Sequence, residues 1–232
     1  MREFWDARAE EDAFYFVDNR LEYGRPDAER FWAGGREVLD GMLARLGVEI
    51  GPGDQIVEIG CGIGRITRAL AEHGESVRAI DVSPAMLERA RALNPALANV
   101  SWLLGDGRSL TGIDSASADV CFSFVVFQHL PAEELTLAYV REIGRVLRPG
   151  GWAAIQVSND PAVHRRPSHA RRLSAAIRDL ARRGPGGQRD PFWLGSAMDL
   201  GRLAQAASEA GMATERVVGE GTQFCLVLLR RL

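Results

Sequence analysis

From Gln55 to Ser158 the chain alternates short apolar, β-branched runs with amphipathic segments, and this alternation constrains the fold more than anything else in it. The strand-like runs are QIVEIG (55–60), SVRAIDV (76–82), NVSWLLGD (99–106), ADVCFSFVVF (118–127) and WAAIQVS (152–158). Between them, RITRALAEHG (65–74) sets Ile66, Ala69, Leu70 and His73 on one helical face and stops at Gly74. SPAMLERARAL (83–93) opens with Ser83 as N-cap and Pro84 at the first helical position. PAEELTLAYVREIGRVL (131–147) has apolar spacing of helical period, and RPGG (148–151) is expected to end it. Strands joined by helices pair in parallel, and nearly continuous apolar strands are covered on both faces.

The chain ends with a helix over 196–212 and two strands, ATERVVGE and TQFCLVLLRRL, with only Gly221 between them. So short a link predicts an antiparallel hairpin. The expected fold is therefore α/β, a doubly wound, mostly parallel seven-stranded sheet with an antiparallel C-terminal strand and a helical N-terminal extension. Residues 1–50 form the helical cap, including an amphipathic helix at 31–47 and the aromatics Phe4, Trp5, Phe14, Tyr15 and Phe16. Those rings serve either core packing or closure over a ligand. Residues 51–158 form the core, and 196–232 complete it. Residues 159–195 carry eight arginines against three aspartates, with four prolines, and read as a basic insertion containing a helix near 168–183. Such an insertion is either a solvated excursion or a lid that contacts substrate.

At 232 residues and a net charge of −3, the chain offers no general attraction to nucleic acid or an acidic membrane. All 28 basic residues are arginine, which excludes a lysine Schiff base or a Walker lysine. Cys61, Cys121 and Cys225 are too scattered for a disulfide framework or a zinc site. The charged N-terminus is unlike a signal peptide, and no apolar run is long enough to span a bilayer. A cytoplasmic protein, monomer or homodimer, is expected.

The chemistry centres on IVEIGCGIGR (56–65), a glycine turn after the first strand. Ligands of open α/β sheets sit beyond the carboxyl ends of the strands, where this turn lies. Its spacing is G-x-G-x-G, with Arg65 where a dinucleotide fingerprint has its last glycine. That argues against NAD, and a P-loop lacks its Gly-Lys-Ser/Thr. Asp81, ending the second strand, suits a ribose diol in several cofactor classes. Asp106 in GDG suits an exocyclic amine such as that of adenine.

Together these pieces resemble the class I S-adenosylmethionine-dependent methyltransferases. The matching stretches are VEIGCGIGR, AIDVSPAML, GDG, FSFVVFQHLP and REIGRVLRPGGWAAIQV, with the closing hairpin. The resemblance covers roughly 50–158 and 213–230. It implies S-adenosyl-L-methionine as cofactor. Glu58, Gly60, Cys61, Gly62 and Gly64 would line its methionine end, and Arg65 or a residue of the N-terminal region would meet the carboxylate. Asp81 would bind the ribose, Val82 and Met86 the adenine face, Asp106 and the Gly107 amide the adenine nitrogens. The backbone at Phe124 and Val125 would lie beside the sulfonium.

His129, in FQHLP, is the candidate general base, with His164, His169, Tyr15 and Tyr23 as lesser ones. The fourth strand lacks the Asn/Asp-Pro-Pro-aromatic motif of the family's nucleic-acid amino-methylating members, and no acidic magnesium ligands stand near it. The resemblance thus implies a metal-independent transfer to a small-molecule acceptor, with no nucleic acid or membrane partner. A member that binds the cofactor but does other chemistry, such as a cyclase-like reaction, or structural work remains the alternative. A nicotinamide oxidoreductase is the more distant one.

Overall fold

The computed structural model describes residues 1–165, 185–187 and 190–232. The expected basic helix over 168–183 lies outside the described residues, apart from 185–187 and the flanks of its insertion, and so does His169. The described chain forms one seven-stranded sheet in the order β3-β2-β1-β4-β5-β7-β6. The strands are β1 Gln55–Ile59, β2 Ser76–Asp81, β3 Val100–Leu104, β4 Ala118–Ser123, β5 Leu147–Val157, β6 Met212–Val218 and β7 Cys225–Arg231. β1 to β5 pair in parallel, and β7 runs antiparallel to both β5 and β6.

The helices are α1 Arg2–Val17, α2 Ala28–Leu46, α3 Thr67–His73, α4 Pro84–Leu93, α5 Glu133–Val146, α6 Pro191–Leu194 and α7 Leu200–Glu209. Caps explain several boundaries. Ser83 Oγ accepts from Met86 N at 3.1 Å and Asp27 Oδ1 from Arg30 N at 3.0 Å, each satisfying an otherwise free N-terminal amide. Asp12 breaks α1: its backbone is extended, and its Oδ1 accepts from Tyr15 N at 3.1 Å while Oδ2 holds Gly24 N at 2.7 Å. No described helix is long and apolar enough to cross a membrane.

Successive strand residues point to opposite faces, so each strand feeds two cores. Val57, Ile59, Cys121, Ala153, Ile155, Val227 and Leu229 pack under α5 and α7. Ile56, Val120, Phe122, Ala154, Leu226 and Leu228 pack under α2 and α3. A third cluster, with Ala9, Ala13, Phe31 and Met86, seats α1 and α2 against α4. All three cysteines are free and buried.

Three boundaries differ from the sequence reading. RPGG does not separate α5 from β5, because Leu147 already pairs with Ala118 and the register shifts before Val120 pairs with Trp152. The four residues form a bulge inside the strand, made possible by Gly150 at φ +82°. The hairpin link is 219–224 and not Gly221 alone, since pairing ends at Val218 and resumes at Cys225. The helix expected from 196 begins at Leu200, where Asp199 Oδ1 accepts from Arg202 N at 2.9 Å.

Phe122 is fully buried between β1 and β5 in the α2/α3 core. Phe122→Ala should therefore cost about 3–5 kcal/mol of unfolding free energy, read from the denaturation midpoint at unchanged slope. A loss under about 1 kcal/mol would contradict the packing described.

Candidate active site

The site is built where the carboxyl ends of β1, β2 and β4 meet. Gly60 and Cys61 donate their amides to Ile80 O at 2.8 and 3.0 Å, which latches the end of β1 to the end of β2. Gly62 N donates to Asp81 Oδ2 at 2.8 Å, and Ser83 N to Asp81 Oδ1 at 2.9 Å. One carboxylate thus holds both the glycine turn and the start of α4. Gly60 (φ +76°) and Gly62 (φ +54°) take a backbone that side chains disfavour, and a Cβ there would fall 2.2 Å from Val126 and 2.9 Å from Val17. Gly64 faces away from the opening, against Trp102 and Asn94.

Glu58 and Asp81 are both buried. Burial pushes the Glu58 carboxyl up to about 7, against the hydroxyl of Thr67, which donates at 2.5 Å. Asp81 is also raised by burial, although the amides of Ser83 and Gly62 pull the other way.

A cavity of about 110 Å³ lies over the turn. Glu58, Gly60, Cys61, Gly62, Arg65, Asp81, Val82, Met86, Gly107, Phe124, Val125 and His129 all line it. Asp106 does not. Its carboxylate is folded into its own turn, accepting from Arg108 N and Ser109 N at 2.7 Å each and from Ser109 Oγ at 2.7 Å. At that end the wall is Gly105 and Gly107, with Met1 of the chain start. Asp106 keeps the loop in shape instead of meeting the cavity.

The cavity is roofed by α1. Met1, Trp5, Phe16 and Val17 enter it. Asp6 fixes the roof, because its Oδ1 accepts from Ser83 Oγ at 2.5 Å and Ala85 N at 3.2 Å. Arg2 Nε reaches Val82 O at 3.2 Å.

A second cavity of about 550 Å³ adjoins the first, sharing Phe16, Val17, Arg65, Phe124, Val125 and His129 with it. Its outer wall includes Trp193, Leu194, His164 and Phe224. Val125, at the junction, has φ +57°, a left-handed conformation that strains a β-branched residue.

A chain of hydrogen bonds begins there. Val125 N donates to Gln156 Oε1 at 2.9 Å, and Gln156 Nε2 donates to Gln128 Oε1 at 3.0 Å and to Gln223 O at 2.6 Å. Gln128 Nε2 stands 3.2 Å from His129 Nε2, and His129 Nδ1 stands 2.8 Å from Trp193 O. The amide of Val125 can only donate, which orients Gln156, and each later partner follows. His129 accepts at Nε2 and donates from Nδ1. Burial pushes its pKa down to about 4, so the ring is neutral near pH 7.

Gln128, Gln156, Trp193, Asp18 and Arg20 belong to no local motif and were not among the expected site residues. A glutamine in the middle of the apolar strand WAAIQVS was the one available signal. Tyr15 and Tyr23 stack on each other away from both cavities, and Tyr23 Oη donates to Glu11 at 2.8 Å. His164 lines the second cavity, held by Leu194 O at 2.5 Å and Ser158 Oγ at 2.7 Å. Among the described residues, no three His, Cys, Asp or Glu side chains converge as a metal site.

Known proteins align with this core. Residues 57–155 match a family profile described as a methyltransferase domain. Malonyl-[acyl-carrier protein] O-methyltransferase of Serratia marcescens is 39% identical over 100 residues, 43% of this chain and 36% of that protein. Trans-aconitate 2-methyltransferase of Mycobacterium tuberculosis is 32% identical over 163 residues, 68% of this chain and 54% of that protein. The chain thus spans between about a third and about half the length of these two curated relatives. Phosphoethanolamine N-methyltransferase 1 of Haemonchus contortus, solved with phosphoethanolamine and S-adenosylhomocysteine, superposes with a TM-score of 0.68 at 18% identity. That match covers 98% of this chain and 47% of that one, and it shows the shared fold.

Glu58 and His129 give opposite pH slopes. Glu58 binds its proton more tightly folded than unfolded, so its contribution to stability falls as pH rises from about 4.5 to about 7. His129 binds its proton less tightly folded, so its contribution rises from about pH 4 to about 6.5. In the wild type these two contributions oppose each other across the window. Glu58→Gln should make stability climb with pH, and His129→Gln should make it fall, by about 1–3 kcal/mol each in denaturant titrations. Parallel slopes in all three proteins would contradict the two environments.

Proposed function

We infer that the chain, as a member of the class I S-adenosylmethionine-dependent methyltransferases, moves a methyl group from S-adenosyl-L-methionine to a small-molecule acceptor without a metal ion. The observation that carries this reading is the meeting of two cavities at Arg65, Phe124, Val125 and His129. One is walled by the glycine turn and Asp81, and the other is roomy enough for a small acceptor.

The residues present fit the cofactor. Glycines at 60 and 62 leave a backbone wall where any Cβ would collide, and Asp81 is a buried acceptor beside it. Val82 and Met86 offer apolar surface for a base, and Gly107 offers an amide beside it. When bound, the cofactor supplies a methyl group already activated on a positively charged sulfur. The chain's own task is then alignment and exclusion of water. Trp5, Phe16 and Val17 of α1 exclude water from above, and the left-handed Val125 fixes the wall between the cavities. Holding two reactants in line is worth several kcal/mol, up to roughly 10.

His129 serves this arrangement as an oriented hydrogen-bond acceptor. Its Nδ1 proton is committed to Trp193 O, and its Nε2 is available to an acceptor's hydrogen only by displacing the Gln128 amide. The relatives' names describe O-methylation in one case and leave the acceptor atom open in another, which supports a small-molecule acceptor without choosing its nucleophile.

Calorimetry with S-adenosylhomocysteine, followed by labelled S-adenosylmethionine and a panel of acids, phenols and amines, tests the reading. Binding of S-adenosylhomocysteine and transfer to at least one acceptor is expected. Binding of NAD in its place would overturn it, and tight binding with no transfer to any acceptor would favour the non-methylating alternative. Asp81→Ala should weaken S-adenosylhomocysteine by about 10–100-fold, the effect of losing a charge-assisted acceptor. Unchanged affinity would remove the ribose role.

A further inference from the structure

Resting on the methyl-transfer reading, we propose that the acceptor is a planar, carboxylate-bearing small molecule, seated in the second cavity with its carboxylate against the Arg20–Asp18–Arg65 cluster. Asp18 is the residue that ends α1, and it is buried. It accepts from Arg20 Nε at 2.7 Å and Nη2 at 2.6 Å, and from Arg65 Nη1 at 2.8 Å. Among the described residues Asp18 is the one carboxylate in direct contact with both guanidinium groups, while Glu37 acts on Arg20 and Glu58 on Arg65 from farther off.

Arg65 is only 5% exposed, and its Nε finds no hydrogen-bond partner among the described residues. A buried donor left unpaired costs about 1–3 kcal/mol, and the Arg65 side chain itself stands in the wall of the second cavity. Guanidinium groups bind carboxylates in a planar, two-point manner that an ammonium does not. Asp18 already takes the Nε and Nη2 edge of Arg20 and one nitrogen of Arg65, so a ligand carboxylate would meet the nitrogens that remain, on side chains whose order is already set.

The rest of the cavity selects the body of the ligand. The rings of Phe124 and Phe224 lie 6.3 Å apart at an interplanar angle of 21°, and the Arg65 guanidinium lies 6.0 Å from the Phe124 ring centre. Phe16 and Trp193 close another side. Flat aromatic walls beside a planar cation favour a flat, unsaturated acid over a flexible chain. Methyl transfer to such a ligand needs no strong base, in keeping with a neutral His129 whose two nitrogens are both engaged.

A carboxylate at this cluster has two sources: the acceptor, as proposed, or the amino-acid end of the cofactor. Arg20 separates them, because it lines the second cavity and not the first. The test is calorimetry on the full chain saturated with S-adenosylhomocysteine, with benzoate and cinnamate against their neutral amides. At least one acid should bind at least tenfold more tightly than its amide. Arg20→Gln should erase that preference while changing S-adenosylhomocysteine affinity less than twofold, and Arg20→Lys should restore only part of it.

Equal binding of acids and amides, or no binding of either acid at millimolar concentration, would overturn the proposal. So would an Arg20→Gln protein that loses S-adenosylhomocysteine affinity and keeps the acid preference, since the cluster would then serve the cofactor. Failure of the wild type to bind S-adenosylhomocysteine at all would instead strike the methyl-transfer reading.

Discussion

The Asp81 carboxylate is the constraint on which the site depends. It accepts from Gly62 N of the turn and Ser83 N of the α4 start. Beside it, Ile80 O accepts from Gly60 N and Cys61 N. These four bonds tie three elements that the sheet alone only brings near one another. Burial makes the arrangement costly to ionise, which is why Asp81 is raised despite its amide donors.

The roof depends on the same corner. Asp6 of α1 reaches the Ser83 hydroxyl and the Ala85 amide, so the N-terminal helix is docked on the residue next but one after Asp81. Asp12 then breaks α1 and Asp18 ends it, and Asp18 meets Arg65 just after the glycine turn. Carboxylates thus fasten the helix at two places, Asp6 to the start of α4 and Asp18 to Arg65 beside the turn. Its aromatic residues Trp5 and Phe16 line the cavity over the turn. The aromatic cluster in the first sixteen residues does double service, as core under Phe31 and as closure over the turn.

The order of strands and helices was legible because two periods, near 2 and near 3.6, are written into nearly continuous apolar runs. The glycine turn, Asp81 and the reversed β7 were legible for the same reason: they are local. What the sequence hid was of two kinds. Gly150 was read as a breaker, yet its positive φ lets β5 carry a bulge and continue, and both outcomes begin with the same residue. Asp106 was read as facing a ligand, yet a serine three residues on captures its carboxylate. The Asp18–Arg65 pair joins residues far apart in sequence, which no local pattern announces.

The polar chain from Val125 to Trp193 fixes the wall between the two cavities. Its direction is set at one end by a backbone N–H and at the other by a backbone carbonyl, so none of its members is free to turn over without breaking a bond. Two glutamines carry no titratable proton, and His129 is the only group in the chain that does. With its proton on Nδ1 held by Trp193 O and protonation pushed down to about pH 4, it is stable in one tautomer across the physiological range. Such a network costs order to build and returns rigidity, because every buried polar group in it is paired. The strain at Val125 is held by the same pairing, since its amide would otherwise be left without Gln156. A wall of this kind holds the junction of the two cavities in one shape.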